Sequence, residues 1–290
     1  MGANPRRQKH LNQSPPAISA SNRPAVLTIA GFDPSSGAGV TADLKVFAAH
    51  RLYGLAAITA LTVQSTQGVR RTQPVDTGFL AETLECLAAD ITITGVKIGM
   101  LATAQVVGVA SAFLAGGGIP LERVVLDPVL RSSSGRTLLD AGGLDRLQGE
   151  LLPFVGWVTP NLDELAELAG TDVSGRESIP AAAHLLASRY PGLNVVVTGG
   201  HLDPPDDFLL TADGVGQWFP GRKIETAATH GTGCTFSSAL LCRLVLGSGP
   251  SEAVAGAKQY LRTAMEAAYP LGKGRGPLHH LYRLDEKGEI

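Results

Sequence analysis

Short apolar runs that alternate with helical stretches constrain the fold of this chain more than any other feature. Residues 26–30, 95–99 and 194–198 are rich in β-branched and aliphatic side chains and are too short to be helices. Ala- and Leu-rich stretches with helical spacing lie between such runs, for example at residues 79–89 and 104–114. Strands that are apolar throughout are buried on both faces, which is typical of a parallel sheet covered by helices on both sides. The pattern therefore predicts an α/β fold with a mostly parallel central sheet.

One segment departs from this alternation. Residues 207–219 contain two short apolar runs on either side of an Ala-Asp-Gly turn, which predicts an antiparallel hairpin at an edge of the sheet. No linker or repeat interrupts residues 25–283. We therefore expect a single domain over residues 24–284, with a tail at residues 285–290. Residues 1–23 are basic and polar, with no apolar segment like that of a signal peptide, and are expected to form a disordered leader.

Composition limits the class of partner. Of the 290 residues, 44% are hydrophobic and 17% are charged, which suits a large buried core and argues against global disorder. The formal net charge of −2 offers no basic surface for nucleic acid or for an anionic membrane, and no apolar run is long enough to span a bilayer. The cysteines, Cys86, Cys234 and Cys242, form no Cys-x-x-Cys pair, which favours a reducing cytoplasm. A small-molecule partner therefore fits this chain best.

Polar residues and glycines follow several of the predicted strands. In open α/β sheets, ligands bind beyond the carboxyl ends of the strands, so these positions are candidates for a binding site. They are Asp33, Gln64, Met100, Asp127, Asn161, Gly199, Gly200 and residues 229–234.

Neither of the common nucleotide-binding loops is present. Gly37-Ala38-Gly39 and the residues after it match the Gly-x-Gly-x-x-Ala pattern of dinucleotide-binding folds, but that pattern requires an acidic residue about 20 positions later. No acidic residue lies between Asp43 and Asp76, which argues against a nicotinamide or flavin cofactor. The Gly-x-x-x-x-Gly-Lys-Ser/Thr sequence of P-loop enzymes is absent as well.

Residues 229–234, Thr-His-Gly-Thr-Gly-Cys, are the best candidate for a phosphate site. They directly precede a strongly helical stretch. The N–H groups of Gly231, Thr232 and Gly233 would then form an anion hole at the positive end of the helix dipole. Spacing alone fits a plain glycine turn before a buried helix equally well.

Cys234 also permits two interpretations. A thiol at a helix N-terminus has a lowered pKa and could accept a proton beside a phosphate. A lone cysteine is more often a small core residue, which is how we interpret Cys86 and Cys242. A thiol hydrolase that uses Cys234 and His230 is disfavoured, because no third orienting group is evident.

Acidic residues near the other strand ends could bind a metal ion or serve as local caps. Asn161, with Glu164 three residues later, resembles a capping box, and the same residues could contribute to an oxygen shell for Mg²⁺. Asp127 is likewise either a turn residue or a carboxylate on the phosphate side of a site. Lys273 is by default a surface-loop residue, with a weaker case for contact with phosphate.

Taken together, these segments resemble the hydroxymethylpyrimidine/phosphomethylpyrimidine kinases of thiamine biosynthesis, a family within the ribokinase-like superfamily. The matching runs cover residues 25–283 in the family's order. They are LTIAGFDPSSGAGVTAD (27–43), ITALTVQST (58–66), VKIGML (96–101), VLDPV (125–129), TPNLDE (159–164), the Gly-Gly-His turn (199–201), THGTGCT (229–235) and LGKGRGPL (271–278).

The resemblance implies a three-layer α/β/α sandwich that uses ATP and Mg²⁺ to phosphorylate 4-amino-5-hydroxymethyl-2-methylpyrimidine, often followed by its monophosphate, and that forms a homodimer. It implies that Cys234 is the general base and that residues 231–233 stabilise the transferring phosphoryl group. The remaining implied contacts are Gly31, Asp43, Gln64, Met100 and Val129 for the pyrimidine; Asp127, Asn161, Thr198, Gly200 and Lys273 for the nucleotide; and Glu164 and Asp127 for the metal.

Departures from the family pattern affect the phosphate contacts. The family usually has lysine where this chain has Thr198 and Ser133, and the loss of both weakens the expectation of a second phosphorylation, whose acceptor is anionic. Arg131 is a candidate replacement. In the first loop, Phe32 and Ser36 replace the common Ser and Gly.

Two alternatives stay open. Some pyridoxine/pyridoxal kinases share the Gly-Thr-Gly-Cys ending and the same fold. The missing lysines also permit a catalytically weakened relative that binds a pyrimidine or a nucleotide as a sensor, although Cys234, Glu164 and Asp127 argue against it.

Overall fold

A nine-stranded sheet forms the centre of the computed structural model, which describes residues 23–132 and 135–285. Its strands are β1 (Ala25–Phe32), β2 (Tyr53–Ser65), β3 (Gly68–Pro74), β4 (Ile93–Ile98), β5 (Val124–Leu126), β6 (Trp157–Val158), β7 (Asn194–Val197), β8 (Asp207–Leu210) and β9 (Gly216–Phe219). They lie in the order β3-β2-β1-β4-β5-β6-β7-β8-β9. The strands from β2 to β7 in this order are parallel, whereas β3 is antiparallel to β2, β8 to β7 and β9 to β8. The predicted mostly parallel sheet and its edge hairpin are confirmed.

Helices cover both faces of the sheet. They are α1 (Gly39–Ala49), α2 (Thr77–Asp90), α3 (Ala104–Ala115), α4 (Gly143–Arg146), α5 (Leu162–Ala169), α6 (Ile179–Ala187), α7 (Thr232–Val245), α8 (Pro250–Glu266) and α9 (Tyr282–Asp285). Short helical turns at Leu121–Arg123, Leu147–Leu151 and Leu152–Phe154 complete the list. Helices α1, α7 and α8 pack on one face, and α2, α3, α5 and α6 pack on the other. The expected three-layer α/β/α sandwich is therefore confirmed.

Alternating strand side chains explain why both faces need helices. On β1, Val26 packs against the layer of α1, α7 and α8, whereas Leu27 and Ile29 pack against the opposite layer. All three side chains are fully buried. Because successive strand residues point to opposite faces, an apolar strand is stable only between two layers, and each such side chain contributes about 1.5–3 kcal/mol on burial.

The structure describes little of either expected terminal segment. Of the expected leader, only Arg23 is described, and residues 286–290 of the expected tail also lie outside the described residues. In the described part of the chain, none of the helices combines the length and the apolar character that crossing a bilayer requires.

Strand β3 is the element that the apolar pattern did not reveal. Its sequence, GVRRTQP, is mostly polar and exposed, and the strand forms by antiparallel pairing with β2 at the edge of the sheet. Arg136 donates from Nη1 to the carbonyl oxygens of Arg70 at 2.7 Å and Val69 at 3.3 Å. Main-chain pairing, which side-chain periodicity does not encode, therefore defines this strand.

The order of the strands places a crevice beside β1. Strand β1 lies between β2 and β4, so the chain leaves it towards one side of the sheet and later returns on the other side. In open α/β sheets, such a switch point opens a ligand crevice beyond the carboxyl ends of the strands. The residues that follow β1 and β4 are thus directed to one place.

A buried ion pair joins the sheet to the helices beside this crevice. Lys97 of β4 and Asp43 of α1 are fully buried, and Lys97 Nζ lies 3.1 Å and 3.0 Å from Asp43 Oδ1 and Oδ2. Thr28 of β1 donates its hydroxyl to Asp43 Oδ2 at 2.6 Å, and Ser238 of α7 donates to Oδ1 at 2.8 Å. Burial opposes the charge on Lys97, but the attraction of Asp43 outweighs it and raises the pKa of the lysine. Lys97 therefore remains protonated beside Asp43.

Replacement of Lys97 by methionine should destabilise the protein by about 3–5 kcal/mol, because Asp43 would keep a buried charge without its partner. Urea unfolding followed by circular dichroism measures the loss. Addition of Asp43→Asn to Lys97→Met should recover part of it, since asparagine is neutral and can accept from one of the Thr28 and Ser238 hydroxyls while its NH2 group donates to the other. Lys223→Met, at an exposed lysine, is the control, with a change under about 0.5 kcal/mol. Equal unfolding midpoints for Lys97→Met and wild type would contradict this role.

Candidate active site

A cavity of about 1600 Å³ opens at the carboxyl ends of the parallel strands. Most of the predicted site residues, which are far apart in the sequence, meet in its lining. They are Gly31, Gln64, Met100, Asp127, Val129, Asn161, Glu164, Thr198, Gly200, Gly231, Thr232, Gly233 and Cys234.

Two predicted site residues are not part of this lining. Asp43 is fully buried behind the cavity, and its carboxylate is occupied by the contacts described above, so its contact with the pyrimidine stays a prediction. Lys273 is exposed and lies off the cavity lining, and its nucleotide contact likewise stays a prediction. Gly274 and Arg275, the residues that follow it, line the cavity instead.

Helix α7 begins at the cavity with a turn that only glycine permits. Gly231, the residue before the helix, has a φ of 86°, and a Cβ there would lie 1.9 Å from the carbonyl oxygen of Gly37. No side chain caps the first turn of α7. The N–H groups of Thr232 and Gly233 therefore stay available to an anion, with the positive end of the helix dipole behind them.

Asp33 organises the loop between β1 and α1 that faces this turn. Its carboxylate accepts from the backbone N–H groups of Ser35 at 2.8 Å, Ala38 at 3.0 Å and Gly37 at 3.2 Å. It also accepts from His230 Nε2 at 2.7 Å. Burial opposes ionisation of Asp33, but the hydrogen bonds from His230 and Ser35 outweigh it and hold the pKa of this carboxyl below its usual value. The carboxylate thus ties its own loop to the residue that precedes the anion hole.

His230 also connects this loop to the pyrimidine pocket expected from the sequence. The side-chain nitrogen of Gln64 lies 3.1 Å from His230 Nε2. From the sequence, His230 is a candidate only as a base for a thiol, and Asp33 has no assigned role. Only its position after an apolar run marked Asp33 as a candidate. The contacts of the His230 ring are with these two residues, so it acts as a bridge between loops.

Ser36 occupies a strained position in the same loop. Its φ of 59° lies in the left-handed region, at the position where the family commonly has glycine. A side chain there costs about 1–2 kcal/mol. Lys45 donates from Nζ to the Ser36 carbonyl oxygen at 2.8 Å, which holds the turn in place.

The environment of Cys234 differs from the prediction. Burial, reinforced by the charges of Asp127 and Asp43, raises the pKa of its thiol to about 12 against the opposing positive charge of Lys97. The expected lowering at a helix N-terminus is therefore wrong for the unliganded protein, because burial and two carboxylates outweigh it. Lys97 is the nearby charge that favours the thiolate.

Two carboxyl groups, those of Asp127 and Glu164, line the cavity and interact electrostatically. Asp127 is buried and accepts from Ser237 Oγ at 3.3 Å; burial raises its pKa, and the attraction of Lys97 offsets this only in part. Glu164 and Asn161 form the predicted capping box, with both hydrogen bonds at 2.9 Å. Burial, reinforced by the charge of Asp127, raises the pKa of Glu164 to about 8. A cation between these groups would relieve their repulsion.

Thr198 and Ser133 occupy the two positions where the family usually has lysine. Thr198 lines the cavity and donates its hydroxyl to the Pro160 carbonyl oxygen at 3.4 Å, whereas Ser133 lies outside the described residues. Other cationic side chains do line the cavity. They are Arg131, Arg222, Lys223, Lys258, Arg262 and Arg275. Several of them are paired with carboxylates: Arg131 with Glu167, Lys258 with Asp207, and Arg222 and Arg262 with Glu266.

Residues 33–279 match the model of the family described as phosphomethylpyrimidine kinase. This match covers most of the chain and includes every residue that forms the cavity apart from Gly31 and Phe32. The chain belongs to the phosphomethylpyrimidine kinase family.

Curated relatives of this family member are similar over almost its whole length. The hydroxymethylpyrimidine/phosphomethylpyrimidine kinase of Staphylococcus aureus strain MRSA252 is 36% identical over 90% of this chain and 95% of that protein. The same kinase of Rhizobium meliloti is 38% identical over 89% and 97%. The thiamine biosynthesis bifunctional protein ThiED of Geobacter sulfurreducens is 38% identical over 91% of this chain, which spans only 54% of that longer protein.

Solved structures similar to this kinase include a pyridoxal kinase and a phosphomethylpyrimidine kinase. An ADP complex of Bacillus subtilis pyridoxal kinase has a TM-score of 0.81 and 30% identity, over 91% of this chain and 100% of that chain. The phosphomethylpyrimidine kinase of Clostridium difficile has a TM-score of 0.74 and 32% identity, over 83% and 99%. Fold similarity therefore does not separate the two activities.

Glu164→Gln should change how the stability of this kinase depends on pH. The pKa of Glu164 rises from 4.5 in the unfolded chain to about 8 in the folded protein, so the folded state binds this proton more strongly. The resulting stabilisation is complete below pH 4.5 and is lost as the pH rises towards 8. Glutamine stays neutral and can still accept from the Asn161 N–H, so the variant should lack this loss.

Thermal unfolding between about pH 5 and pH 9 measures the difference, since the Tm of wild type should fall more steeply than that of the variant. Asp163→Asn, at an exposed carboxylate of the same helical turn, is the matched control and should follow wild type. Parallel Tm curves for Glu164→Gln and wild type would contradict the raised pKa.

Proposed function

We propose that this protein transfers the γ-phosphoryl group of ATP to the hydroxymethyl group of 4-amino-5-hydroxymethyl-2-methylpyrimidine in thiamine biosynthesis. The observation that carries this proposal is the uncapped start of α7, which directs free N–H groups and Cys234 into a cavity that also contains Gln64 and Met100. The family match and the curated kinases with 36–38% identity support the same activity.

A flat aminopyrimidine fits the apolar part of the cavity. A Cβ at Gly31 would lie 3.1 Å from Met100 Sδ, so glycine lets the methionine side chain pack directly against the backbone of β1. Val129 lines the cavity as a second apolar side chain. The Gln64 amide offers both a donor and an acceptor to the polar edge of the ring, and its Oε1 accepts from the Thr62 hydroxyl at 3.2 Å.

The start of α7 is suited to the charge that develops in phosphoryl transfer. The N–H groups of Gly231, Thr232 and Gly233 would stabilise negative charge on the equatorial oxygens of the transferring group. Cys234 would accept the proton of the attacking hydroxyl. Because burial disfavours its thiolate, this role depends on the positive charge of Lys97 in the adjacent network.

The carboxyl groups of Asp127 and Glu164 fit a magnesium ion that accompanies the nucleotide. Burial raises the pKa values of both, reinforced by the charge of Asp43 at Asp127 and by the charge of Asp127 at Glu164, and a divalent cation would favour their ionised forms. Among residues 23–132 and 135–285, no three His, Cys, Asp or Glu side chains form a metal site. The ion would therefore be held by these carboxylates together with water and phosphate oxygens, as Mg²⁺ commonly is, and would neutralise phosphate charge. Asn161, Thr198 and Gly200 remain proposed nucleotide contacts.

Further expectations from the resemblance remain proposals. We infer that the second phosphorylation is the weaker activity, because Thr198 replaces a cationic contact and Arg131 is already paired with Glu167 at 3.0 Å. Cys86, Cys234 and Cys242 are free thiols, which supports a cytoplasmic location. Homodimer formation stays a prediction, and sedimentation velocity of the purified protein tests it.

A panel of acceptors tests the proposed activity against its nearest alternative. Purified protein with ATP and Mg²⁺ should release ADP in the presence of the hydroxymethylpyrimidine, more slowly with its monophosphate, and least with pyridoxal. Coupled detection of ADP with mass spectrometry of the products measures this order. Phosphorylation of pyridoxal without turnover of the pyrimidine would assign the chain to the pyridoxal kinases instead. Binding without turnover of any acceptor would assign it to the sensors.

Cys234→Ala should lower kcat by about 10²- to 10⁴-fold, the range expected when a general base is removed. The Kd for ATP should hardly change, because the backbone anion hole remains. Steady-state kinetics and isothermal titration calorimetry measure the two quantities. Cys86→Ala, at an exposed thiol far from the cavity lining, is the matched control. A kcat within about twofold of wild type for Cys234→Ala would remove the thiol from the base role.

A further inference from the structure

A chain of hydrogen bonds links the anion hole to the C-terminal segment. Thr235, in the first turn of α7, places Oγ1 2.8 Å from the carbonyl oxygen of Gly231 and 3.0 Å from Nε2 of His280. Thr235 and His280 are both buried. We propose that His280 is a positioning residue for phosphoryl transfer, which acts through Thr235 to hold the Gly231–Thr232 peptide in the orientation that aims the Thr232 N–H into the cavity.

The directions of these hydrogen bonds follow from the number of protons available. The Thr235 hydroxyl has one proton, and the carbonyl oxygen of Gly231 can only accept. An oxygen–oxygen distance of 2.8 Å requires a proton between the two atoms, so Thr235 donates to Gly231. His280 must then donate from Nε2 to Thr235 Oγ1. The imidazole is therefore the first donor of the chain.

Burial keeps this imidazole in the neutral form that the chain requires. Burial, reinforced by the charges of Lys45, His279 and His230, lowers the pKa of His280 to about 4. The ring therefore carries a single N–H at neutral pH, and the bond to Thr235 places that proton on Nε2.

The Gly231 carbonyl governs the direction of the anion-hole donor. In a trans peptide the C=O and the N–H lie in one plane and point in opposite directions. The Gly231 oxygen, which accepts from both the N–H (2.9 Å) and the hydroxyl of Thr235, points into the helix. The N–H of Thr232 in the same peptide consequently points out of the helix end. A tilt of this peptide would turn the donor away from the phosphoryl group.

The backbone around His280 is itself held in place. Tyr260 donates its hydroxyl to the His280 carbonyl oxygen at 2.6 Å, and the N–H of His279 donates to the Ala264 carbonyl oxygen at 3.0 Å. Four residues earlier, the Gly276 carbonyl oxygen accepts from the N–H of His230 at 3.1 Å. The C-terminal segment thus contacts the anion-hole loop at two points, and His280 is a rigid support for Thr235.

His280→Leu should lower kcat by about tenfold with little change in the KM of the acceptor, because correct aim of one anion-hole donor matters most in the transition state. His280→Gln, which can present an N–H near the position of Nε2, should recover most of that loss. Thr235→Val should lower kcat to a similar extent. His280→Leu added to Thr235→Val should cause no further decrease in kcat, because the hydrogen-bond chain from His280 to Gly231 is already broken.

His50→Leu is the matched control. His50 is also buried, contacts the Val46 carbonyl oxygen at 2.9 Å through Nδ1 and packs on Tyr260 with ring centroids 4.6 Å apart, but it does not touch α7 in these contacts. It should lose stability and keep its kcat. Equal loss of kcat in His280→Leu and His280→Gln, or additive losses in the double variant, would overturn the proposal.

This inference rests on the proposed function, so one readout is chosen to be independent of the acceptor. The affinity for ADP with aluminium fluoride, a mimic of the transferring group, should fall about tenfold in His280→Leu while the affinity for ADP alone stays unchanged. Absence of wild-type turnover with the pyrimidine would contradict the proposed function. Equal effects on both affinities, measured by calorimetry, would contradict the positioning role.

Discussion

The buried pair of Lys97 and Asp43 is the interaction on which the rest of the structure depends. It joins two strands and two helices, because Thr28 of β1 and Ser238 of α7 complete the coordination of the same carboxylate. Ser238 lies one helical turn after Cys234, so the contact that docks α7 onto the sheet also sets the electrostatic environment of the thiol. The contact that stabilises the fold and the charge that favours the Cys234 thiolate therefore belong to one network.

Close approach of two backbone loops builds the phosphate end of the cavity. A Cβ at Gly231 would meet the Gly37 carbonyl oxygen at 1.9 Å, and a Cβ at Gly39 would meet the Gly31 carbonyl oxygen at 2.2 Å. Glycine is required at these positions because the neighbouring backbone occupies the space of a side chain. The contact at Gly231 joins the two loops, whereas the contact at Gly39 closes the first loop on the end of β1.

The cavity contains acidic groups whose negative charges would repel one another if all of them were ionised. Asp127 and Glu164 hold their protons more strongly than usual, and the Cys234 thiol does the same. Residues that are far apart in the sequence pack together here and produce these raised pKa values. Lys97 is the only buried cation among the described residues that offsets the effect. Such an arrangement is poorly matched to an empty cavity and well matched to a nucleotide with its metal ion, which supply the missing positive charge and the phosphate oxygens.

The sequence by itself determined the layered fold and the identity of most cavity residues. Strand burial shows in local periodicity, and motif glycines show in short runs, so neither requires knowledge of distant contacts. Only the tertiary structure decided which residues contact one another behind the cavity lining. Asp43 meets Lys97 across 54 positions, and Thr235 meets His280 across 45. Burial and charge around Cys234 likewise reversed the pKa expected from its place on a helix, because the environment of a titrating group is a property of packing and not of sequence neighbours.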